Sequence, residues 1–594
     1  MKLAPIDLLL ICAFFGILLT IGFCVSRKAG SSSTQFFLSG RSMPWWLLGV
    51  SMVATTFSAD TPNLVTNIVR QDGVYGNWVW WAFLLTGMLT VFVYAKLWRR
   101  SGVMTDLEFY ELRYSGKKAA FLRGFRALYL GVFFNIVVMA SVCLAGIKIS
   151  GVLLGVSPVT TLLVSAFIIV FYTALGGLRG VLLTDLVQFT IAMVGSVWAA
   201  KVALGLPQVG GLHGLLTHEA VRGRLSLFPD FSNAEALVPI FLIPLAVQWW
   251  SVWYPGAEPG GGGYVVQRML SAKSERHAMG ATLLFNIAHY ALRPWPWILV
   301  ALSSLIVFPD LDALQASFPS LDASRVKDDL AYSAMLTYLP SGLLGVVVAS
   351  LIAAFMSTIA SHLNWGASYV VNDFYKRFIA PDASEERLVN VGRLATVLLM
   401  AAAGGLALLL ESALQTFNVM LQIGAGTGLL FILRWFWWRI NPVSEITGMV
   451  VSFVVAIYFV VHSYLGLSEI STSVQLCIGV GITTFSWVAA TLLTKPSDSK
   501  TLRAFYRLVK PGGPGWRHVR EEARADNDSI DDGPGWDLPQ GLLCMFFGCL
   551  AVYSALFATG YWIYGNLMPA IVLTGVTVLG TTALMRAWSS LRAD

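Results

Sequence analysis

The sequence predicts an all-α polytopic membrane protein built around two inverted five-helix halves, and three observations carry that prediction. Of 594 residues, 56% are hydrophobic and only 12% are charged, a balance that suits a chain dissolved in lipid. About fifteen apolar stretches, each of roughly 20 residues, are long enough to cross a bilayer as helices. Two of them, with four spans between, are interrupted by sequence that no continuous helix accommodates.

The stretches centre near residues 16, 55, 87, 138, 168, 191, 248, 296, 350, 399, 424, 456, 484, 552 and 577. The first lacks a basic leading region and a small-residue cleavage site, so residues 1–30 read as a retained helix and not a signal peptide. Lys and Arg concentrate in 96–126 (Lys96, Arg99, Arg100, Arg113, Lys117, Lys118, Arg123, Arg126), 268–276, 376–393 and 495–524, whereas 204–236 and 309–330 are mixed or acidic. Counting spans puts every basic segment on one side. The positive-inside rule then places the N-terminus outside and the C-terminus inside a cytoplasmic membrane. The net charge of +7 is therefore a topology signal, and no nucleic-acid partner is expected. Cys12, Cys24, Cys143, Cys477, Cys544 and Cys549 lie in apolar sequence without zinc or redox spacing, which indicates neither a disulfide framework nor a metal site. Segment 495–540 reads as a cytoplasmic linker: Lys510-Pro511-Gly512-Gly513-Pro514-Gly515 breaks it, and no apolar periodicity is evident. The spans in 445–494 and 541–594 lie outside the core and carry no functional reading.

The second interruption is the more conspicuous. Pro255-Gly256-Ala257-Glu258-Pro259-Gly260-Gly261-Gly262-Gly263 separates apolar residues 238–254 from 264–270. Irregular backbone at membrane depth is tolerated only where it is buried in protein or lines a cavity, and an intramembrane carboxylate such as Glu258 marks a functional site. The first interruption lies in 51–62, where an apolar helix turns small and hydroxyl-rich, acquires Asp60 and meets Pro62. Proline disfavours helical geometry in the residue before it, so a break is expected near Asp60 or Thr61. An odd number of spans per half forces the second half to be inverted, giving halves of about 43–204 and 237–440. Matched interrupted helices in two halves are the sequence pointer to a transporter substrate site. The blander alternatives are a helix end at the membrane surface for Asp60 to Pro62, and an extracellular or re-entrant loop for 255–263.

Five stretches resemble the sodium:solute symporter family, which includes bacterial sugar, proline, pantothenate and sialic acid transporters. Gly40-Arg41-Ser42-Met43-Pro44-Trp45-Trp46 with 51–58 resembles its opening core helix. Gly176-Gly177-Leu178-Arg179-Gly180-Val181-Leu182-Leu183-Thr184-Asp185-Leu186-Val187-Gln188 is similar to its fifth-helix motif. Tyr264-Val265-Val266-Gln267-Arg268 ends the second broken helix as the family does. Ala353-Ala354-Phe355-Met356-Ser357-Thr358 through Asn364, with Asn372-Asp373-Phe374-Tyr375, resembles the eighth core helix. Arg434-Trp435-Phe436-Trp437-Trp438-Arg439 resembles the end of the tenth. Together they cover roughly 36–440. The resemblance implies a leucine-transporter-type core with one extra N-terminal helix and about four extra C-terminal helices. It also implies a sodium-coupled symporter that moves a small polar organic solute (a sugar, sugar acid, amino or carboxylic acid, or nucleoside) by alternating access. Na+ would be the coupling ion. Neither an organic cofactor nor an obligate protein partner is inferred.

Sodium is a hard cation and wants oxygen ligands, which a membrane interior supplies from hydroxyls and from carbonyls freed by a broken helix. Ala354, Ser357 and Thr358 stand at i, i+3 and i+4 and share one helix face. The resemblance implies that the Ala354 carbonyl and the two hydroxyls hold sodium together with the carbonyls of Ala54 and Phe57. Against this, Ser357 and Thr358 can bond back to their own helix turn. For a second ion, Asp185 matches an aspartate that some members place on helix five, with Ser357 and Ser361 as further ligands. Ala360 stands where those members have another hydroxyl, and the alternative is an ion pair of Asp185 with Arg179 or another cytoplasmic base.

The substrate-binding candidates are Asp60, Thr61, Glu258, His289, Arg293, Trp253, Trp81, Asn135 and Gln422. The family usually carries Asn-Gln before its Tyr-x-x-Gln-Arg stretch, where this chain has Gly262-Gly263. The sugar transporters place an acid in the second core helix, where this chain has Trp78, Trp80, Trp81 and Phe83. His289 and Arg293 are four apart and share a face. A guanidinium at that depth needs a carboxylate or an anionic substrate. A structural pair of Arg293 with Glu258 or Asp60 competes with a polar cradle for a solute stacked on Trp249, Trp250, Trp253 or Trp81. Asn135 and Gln422 compete with a role in satisfying buried backbone. A membrane-embedded enzyme using Asp60, Glu258 and His289 would lack any His-Glu-x-x-His or Gly-x-Ser-x-Gly motif. A transporter-like sensor would lack a signalling domain. Proton coupling through Asp185 or Glu258 is the alternative to sodium.

Overall fold

Proline and glycine decide where the apolar stretches become helices and where they stop. The computed structural model describes the chain except residues 1–2, 30, 248–258, 320–325, 411–421, 468–469, 529, 531–535 and 592–594. Helix α1 (Pro5–Val25) precedes the first interrupted helix, whose halves are α2 (Trp45–Thr56) and α3 (Asp60–Asp72). Then come α4 (Val74–Ser101), α5 (Gly116–Leu154) and α6 (Pro158–Leu204). The second half contains α7 (Ala234–Ala246), α8 (Gly263–Leu270), α9 (Glu275–Val307), α10 (Leu343–Ile379), α11 (Glu385–Ala407) and α12 (Gly428–Leu433). Beyond it lie α13 (Pro442–Tyr464), α14 (Thr472–Leu493), α15 (Ser499–Val509), α16 (Arg517–Ala525), α17 (Leu538–Ile563) and α18 (Leu567–Ser589). Among the described residues, 11 helices are long and apolar enough to cross a membrane, and three shorter apolar ones accompany them. Each expected stretch falls on one of these helices except those centred near 248 and 424, which adjoin residues outside the described ones. Two stretches share α6, which bends at Gly177 (φ 51°, ψ −156°), where a Cβ would meet the Phe36 carbonyl at 2.6 Å.

The first break falls earlier than the sequence suggests. Phe57 leaves the helix with φ −87° and ψ 73°, and α3 restarts at Asp60. Pro62 therefore sits in the first turn of α3, where a missing N–H leaves no helical bond unmade. Asp60 occupies the same turn, where free N–H groups and the helix dipole favour an anion. Of the second break, 255–258 lies outside the described residues. In the described part Gly260, Gly261 and Gly263 have φ of 87°, 93° and 56°. This backbone lies tight on α4: a Cβ on Gly260 would meet the Tyr94 ring at 3.0 Å, and Trp98 Nε1 donates to the Gly260 carbonyl at 2.8 Å. The Gly263 N–H donates to Asp106 Oδ2 at 2.9 Å, which caps α8. Here the glycines serve close packing and do not open a cradle.

Helix α10 is the axis of the bundle. It is buried along nearly its whole length and packs on α6, α1, α11, α5 and α2. Outer helices such as α13 instead present Val450, Val454, Tyr458 and Val461 outward at near-helical spacing, as a lipid-facing stripe requires. Segment 495–540 is not the structureless linker expected. Leu502, Phe505, Tyr506 and Val509 form a buried stripe on α15 at i, i+3, i+4 and i+7. Trp516 Nε1 donates to the Trp435 carbonyl at 2.9 Å, and the Trp438 N–H donates to the Gly515 carbonyl at 3.1 Å. The segment thus docks on the residues that follow α12.

Candidate functional site

The last turn of α2 meets the hydroxyl face of α10. Thr358 Oγ1 donates to the Thr55 carbonyl at 2.8 Å and lies 3.2 Å from the Ala354 carbonyl. Thr55 Oγ1 and Ser361 Oγ are 2.7 Å apart. Ala54 and Phe57 flank Thr55 at the point where the helix stops, and the Phe57 N–H donates to the Ala54 carbonyl at 3.1 Å. The structure therefore brings Ala54, Phe57, Ala354 and Thr358 to one buried seam. Ser357 bonds across to α6 and not back to its own turn: its hydroxyl donates to Asp185 Oδ1 at 2.7 Å.

Asp185 is one end of a buried net. Its basic partner is Arg268, 3.8 Å away with both side chains fully buried. The Ser51 hydroxyl bonds Asp185 Oδ2 and accepts from Arg268 Nε at 3.2 Å. Arg268 Nη2 donates to Ser361 Oγ at 2.6 Å, and Nη1 donates to Gln267 Oε1 at 3.0 Å. Gln267 Nε2 reaches Asn364 Oδ1 at 2.9 Å. A buried ion pair is tolerable when its remaining donors and acceptors are satisfied, and this net satisfies them across α2, α6, α8 and α10. Ser361 touches the guanidinium, which stands between it and Asp185. Sequence reasoning quoted Gln267 and Arg268 as a motif without giving them a role; two adjacent long polar residues in an apolar helix were the available signal.

A second polar cluster lies on the other side of α2. Pro294 and Pro296 have no N–H to offer the carbonyls of Tyr290 and Leu292, and Ala288–Leu292 widens into a π turn. The turn projects His289 and Arg293 together at α2. Arg293 Nη2 meets His289 Nε2 at 3.0 Å, Arg293 Nη1 donates to Thr56 Oγ1 at 3.3 Å, and His289 Nδ1 lies 3.1 Å from the same hydroxyl. The guanidinium stands over the Trp297 ring at 5.3 Å. Thr61 Oγ1 reaches back across the break to the Thr56 carbonyl at 3.4 Å. Asp60 is within electrostatic range of Arg293, but the two form no ion pair. Trp80, not Trp81, faces this cluster, with ring centroids 5.6 Å from His289 and 5.9 Å from Tyr290. Trp81 packs instead on Phe557 of α17.

The other candidates are placed elsewhere. Asn135 Nδ2 donates to the His362 carbonyl at 2.8 Å, and Asn135 Oδ1 lies 2.7 Å from His362 Nδ1, which fastens α5 to α10. Gln422 Nε2 donates to Gln475 Oε1 of α14 at 2.6 Å. Glu258 and Trp253 lie outside the described residues. Thr56 and Trp80 were not singled out as substrate-binding candidates; Thr56 lay in the quoted hydroxyl-rich run, and only the fold places it opposite α9.

The sequence profile of the Sodium:solute symporter family matches residues 36–452. A sodium/glucose cotransporter of Vibrio parahaemolyticus is 28% identical over 474 residues, covering 77% of this chain and 85% of the relative. A sodium/mannose cotransporter of Bos taurus is 26% identical over 482 residues, covering 75% of this chain and 77% of the relative. Among solved structures, a Na+-coupled sialic acid symporter in a substrate-bound outward-open state matches with a TM-score of 0.67 at 20% identity, over 83% of this chain and 99% of that one. That likeness shows a leucine-transporter-type fold.

Proposed function

This chain belongs to the sodium:solute symporter family, and we propose that it couples sodium to the movement of a small polar organic solute across the cytoplasmic membrane by alternating access. Its relatives are transporters, and the chain is a multi-pass membrane transporter, not an enzyme. In this reading sodium sits between the last turn of α2 and α10, on the carbonyls of Ala54, Phe57 and Ala354 and the hydroxyls of Ser357 and Thr358. The observation that carries it is the hydrogen bond from Thr358 to the carbonyl of Thr55, where α2 stops short and α10 presents its hydroxyls. Five neutral oxygens suit a monovalent ion that must also be released. An ion there ties the last turn of α2 to α10, and so favours one of two transporter states. A solute preferring the same state gains affinity, and the gain is reciprocal.

Asp185 acts in this reading through Ser357, the hydroxyl it shares with the sodium site, while Arg268 balances its charge. A second ion at Asp185 and Ser361 would have to displace that guanidinium. The N-terminus lies outside and the C-terminus inside. The test is uptake by proteoliposomes with the sodium gradient and the pH gradient varied independently, using a labelled panel of sugars, sugar acids, amino acids and nucleosides. Uptake driven by sodium at symmetric pH is expected. Uptake driven by a proton gradient without sodium overturns the reading in favour of proton coupling.

A further inference from the structure

We propose that the transported solute carries a carboxylate and that Arg293 is its anchor. The proposal rests on the symport reading above and adds to it the chemical class of the cargo.

Arg293 is 1% exposed and lies near the midpoint of α9, level with the first break. Its hydrogen bonds can be followed to their ends. Because Nη2 donates to His289 Nε2, that nitrogen must be the acceptor, so the imidazole is neutral with its proton on Nδ1. Nδ1–H and Arg293 Nη1–H then both point at Thr56 Oγ1, whose own proton goes to the Val53 carbonyl at 3.0 Å. The chain of donors thus runs out at a backbone oxygen and contains no negative group. Among the described residues Arg293 Nε has no hydrogen-bond partner. Nε–H and a free N–H on a neighbouring Nη form the planar fork that a carboxylate fills with two parallel bonds.

Other buried arginines show what a structural role requires in this bundle. Arg70 holds Asp328 at 2.8 Å, Arg123 holds Asp373 at 2.7 Å, Arg268 has Asp185, and Arg434 has Glu445 at 3.6 Å. Arg113 has three backbone carbonyls. Arg293 has two neutral side-chain partners and an aromatic face. A guanidinium does not discharge by losing its proton, and among the described residues no carboxylate pairs with this one, so the proposal assigns its countercharge to the solute. Asp60 lies close enough to moderate the field but keeps its carboxylate in the first turn of α3. A neutral sugar would accept a hydrogen bond from Nε and leave the charge unbalanced; a carboxylate satisfies both. Trp80 and Tyr290, stacked beside His289, supply the apolar wall for the rest of such a solute.

The experiment is a thermal-shift titration of the purified full chain, with and without sodium, using pairs that differ in the carboxylate: glucuronate and glucose, lactate and lactamide, proline and prolinamide. At least one acid is expected to stabilise the wild type in sodium while its neutral partner does not. R293M should weaken that acid by roughly 10- to 100-fold, and R293K, which keeps the charge but not the fork, by less. The shift given by sodium alone should survive in both variants, which shows that they fold. Neutral members binding as well as acids, undiminished acid binding in R293M and R293K, or no acid shifting the wild type overturns the proposal. Arg293-dependent acid binding that is indifferent to sodium leaves the carboxylate anchor standing and removes the symport reading instead.

Discussion

Replacing Thr358 separates the ion site from the fold. Its side chain is 4% exposed, and its hydroxyl donates to the Thr55 carbonyl at 2.8 Å. In Thr358→Ala the sodium-free protein loses one net hydrogen bond, about 1 kcal/mol, and one buried methyl, about 1 kcal/mol. It regains about 0.6 kcal/mol because alanine is the better helix former. The sum, a loss of about 1.4 kcal/mol, moves the melting temperature of a chain this size by at most a few degrees. The sodium-bound protein loses in addition one of five proposed ligands. If that ligand contributes as much as a charge-assisted hydrogen bond, the half-saturating sodium concentration rises by roughly 10-fold or more. Thr358→Val keeps the shape and removes only the hydroxyl, so it should match the alanine variant in sodium affinity while melting closer to the wild type. Thr358→Ser keeps the ligand and should stay within about threefold of the wild type. The assay is melting temperature against sodium concentration, paired with sodium-stimulated uptake. Wild-type sodium dependence in both the alanine and the valine variants would refute the assignment of this seam.

The Asp185–Arg268 net yields a second prediction. Asp185→Asn leaves a fully buried guanidinium without its countercharge, a loss of about 3–5 kcal/mol, and adding Arg268→Met should restore part of the lost melting temperature. Losses that simply add would mean that the two side chains do not act as a pair. A third concerns segment 495–540. Trp516 is fully buried, stacks on Phe505 at 5.5 Å and covers Arg113 at 4.8 Å, so Trp516→Ala should cost about 3–5 kcal/mol of docking energy. Hydrogen exchange should then rise across Ser499–Val509 and Arg517–Ala525 while α10 stays protected, and unchanged exchange in those two helices would count against the docking.

The features legible in the sequence were those set by long-range composition. Apolar length alone placed the spans, and the first break was bracketed because small and hydroxyl residues gather before Pro62. Its exact position was not legible, since proline excludes helix before it yet is welcome in the first turn after it, and only packing chose the second option. The α15 helix was missed for a different reason. Leu502, Phe505, Tyr506 and Val509 do have helical spacing, but a stripe of two turns set among Lys, Arg and glycine-proline pairs gives a weak signal until Trp516 and Trp435 provide a surface for it. Site residues divided along the same line. Ser357, Thr358 and Asp185 were candidates through the family resemblance, and His289 and Arg293 because such groups are costly in an apolar helix. Trp80 was passed over for Trp81, because two adjacent tryptophans in a short helix cannot be told apart until α17 covers one of them.

What the fold adds beyond any list of residues is adjacency. Thr55 and Thr56 are consecutive at the end of α2, and they face different partners. The Thr55 carbonyl receives Thr358 from α10, and the Thr56 hydroxyl receives Arg293 and His289 from α9. In the proposed reading the first contact belongs to the ion and the second to the solute. A change in the last turn of α2 that shifts the Thr55 carbonyl also shifts the Thr56 Cα from which that hydroxyl hangs, because one planar peptide unit joins them. In that reading, sodium on the flanking Ala54 and Phe57 carbonyls orders the turn that carries the Thr56 hydroxyl, and with it the direction in which Arg293 offers its Nε. The interruption at Phe57 ends the helical ladder of α2, and α3 is tied back to it by the Thr61 N–H on the Ser58 carbonyl at 3.1 Å and Thr61 Oγ1 on the Thr56 carbonyl at 3.4 Å. Linkage between the two ligands then needs no long pathway through the protein. It needs one frayed helix end held from two sides.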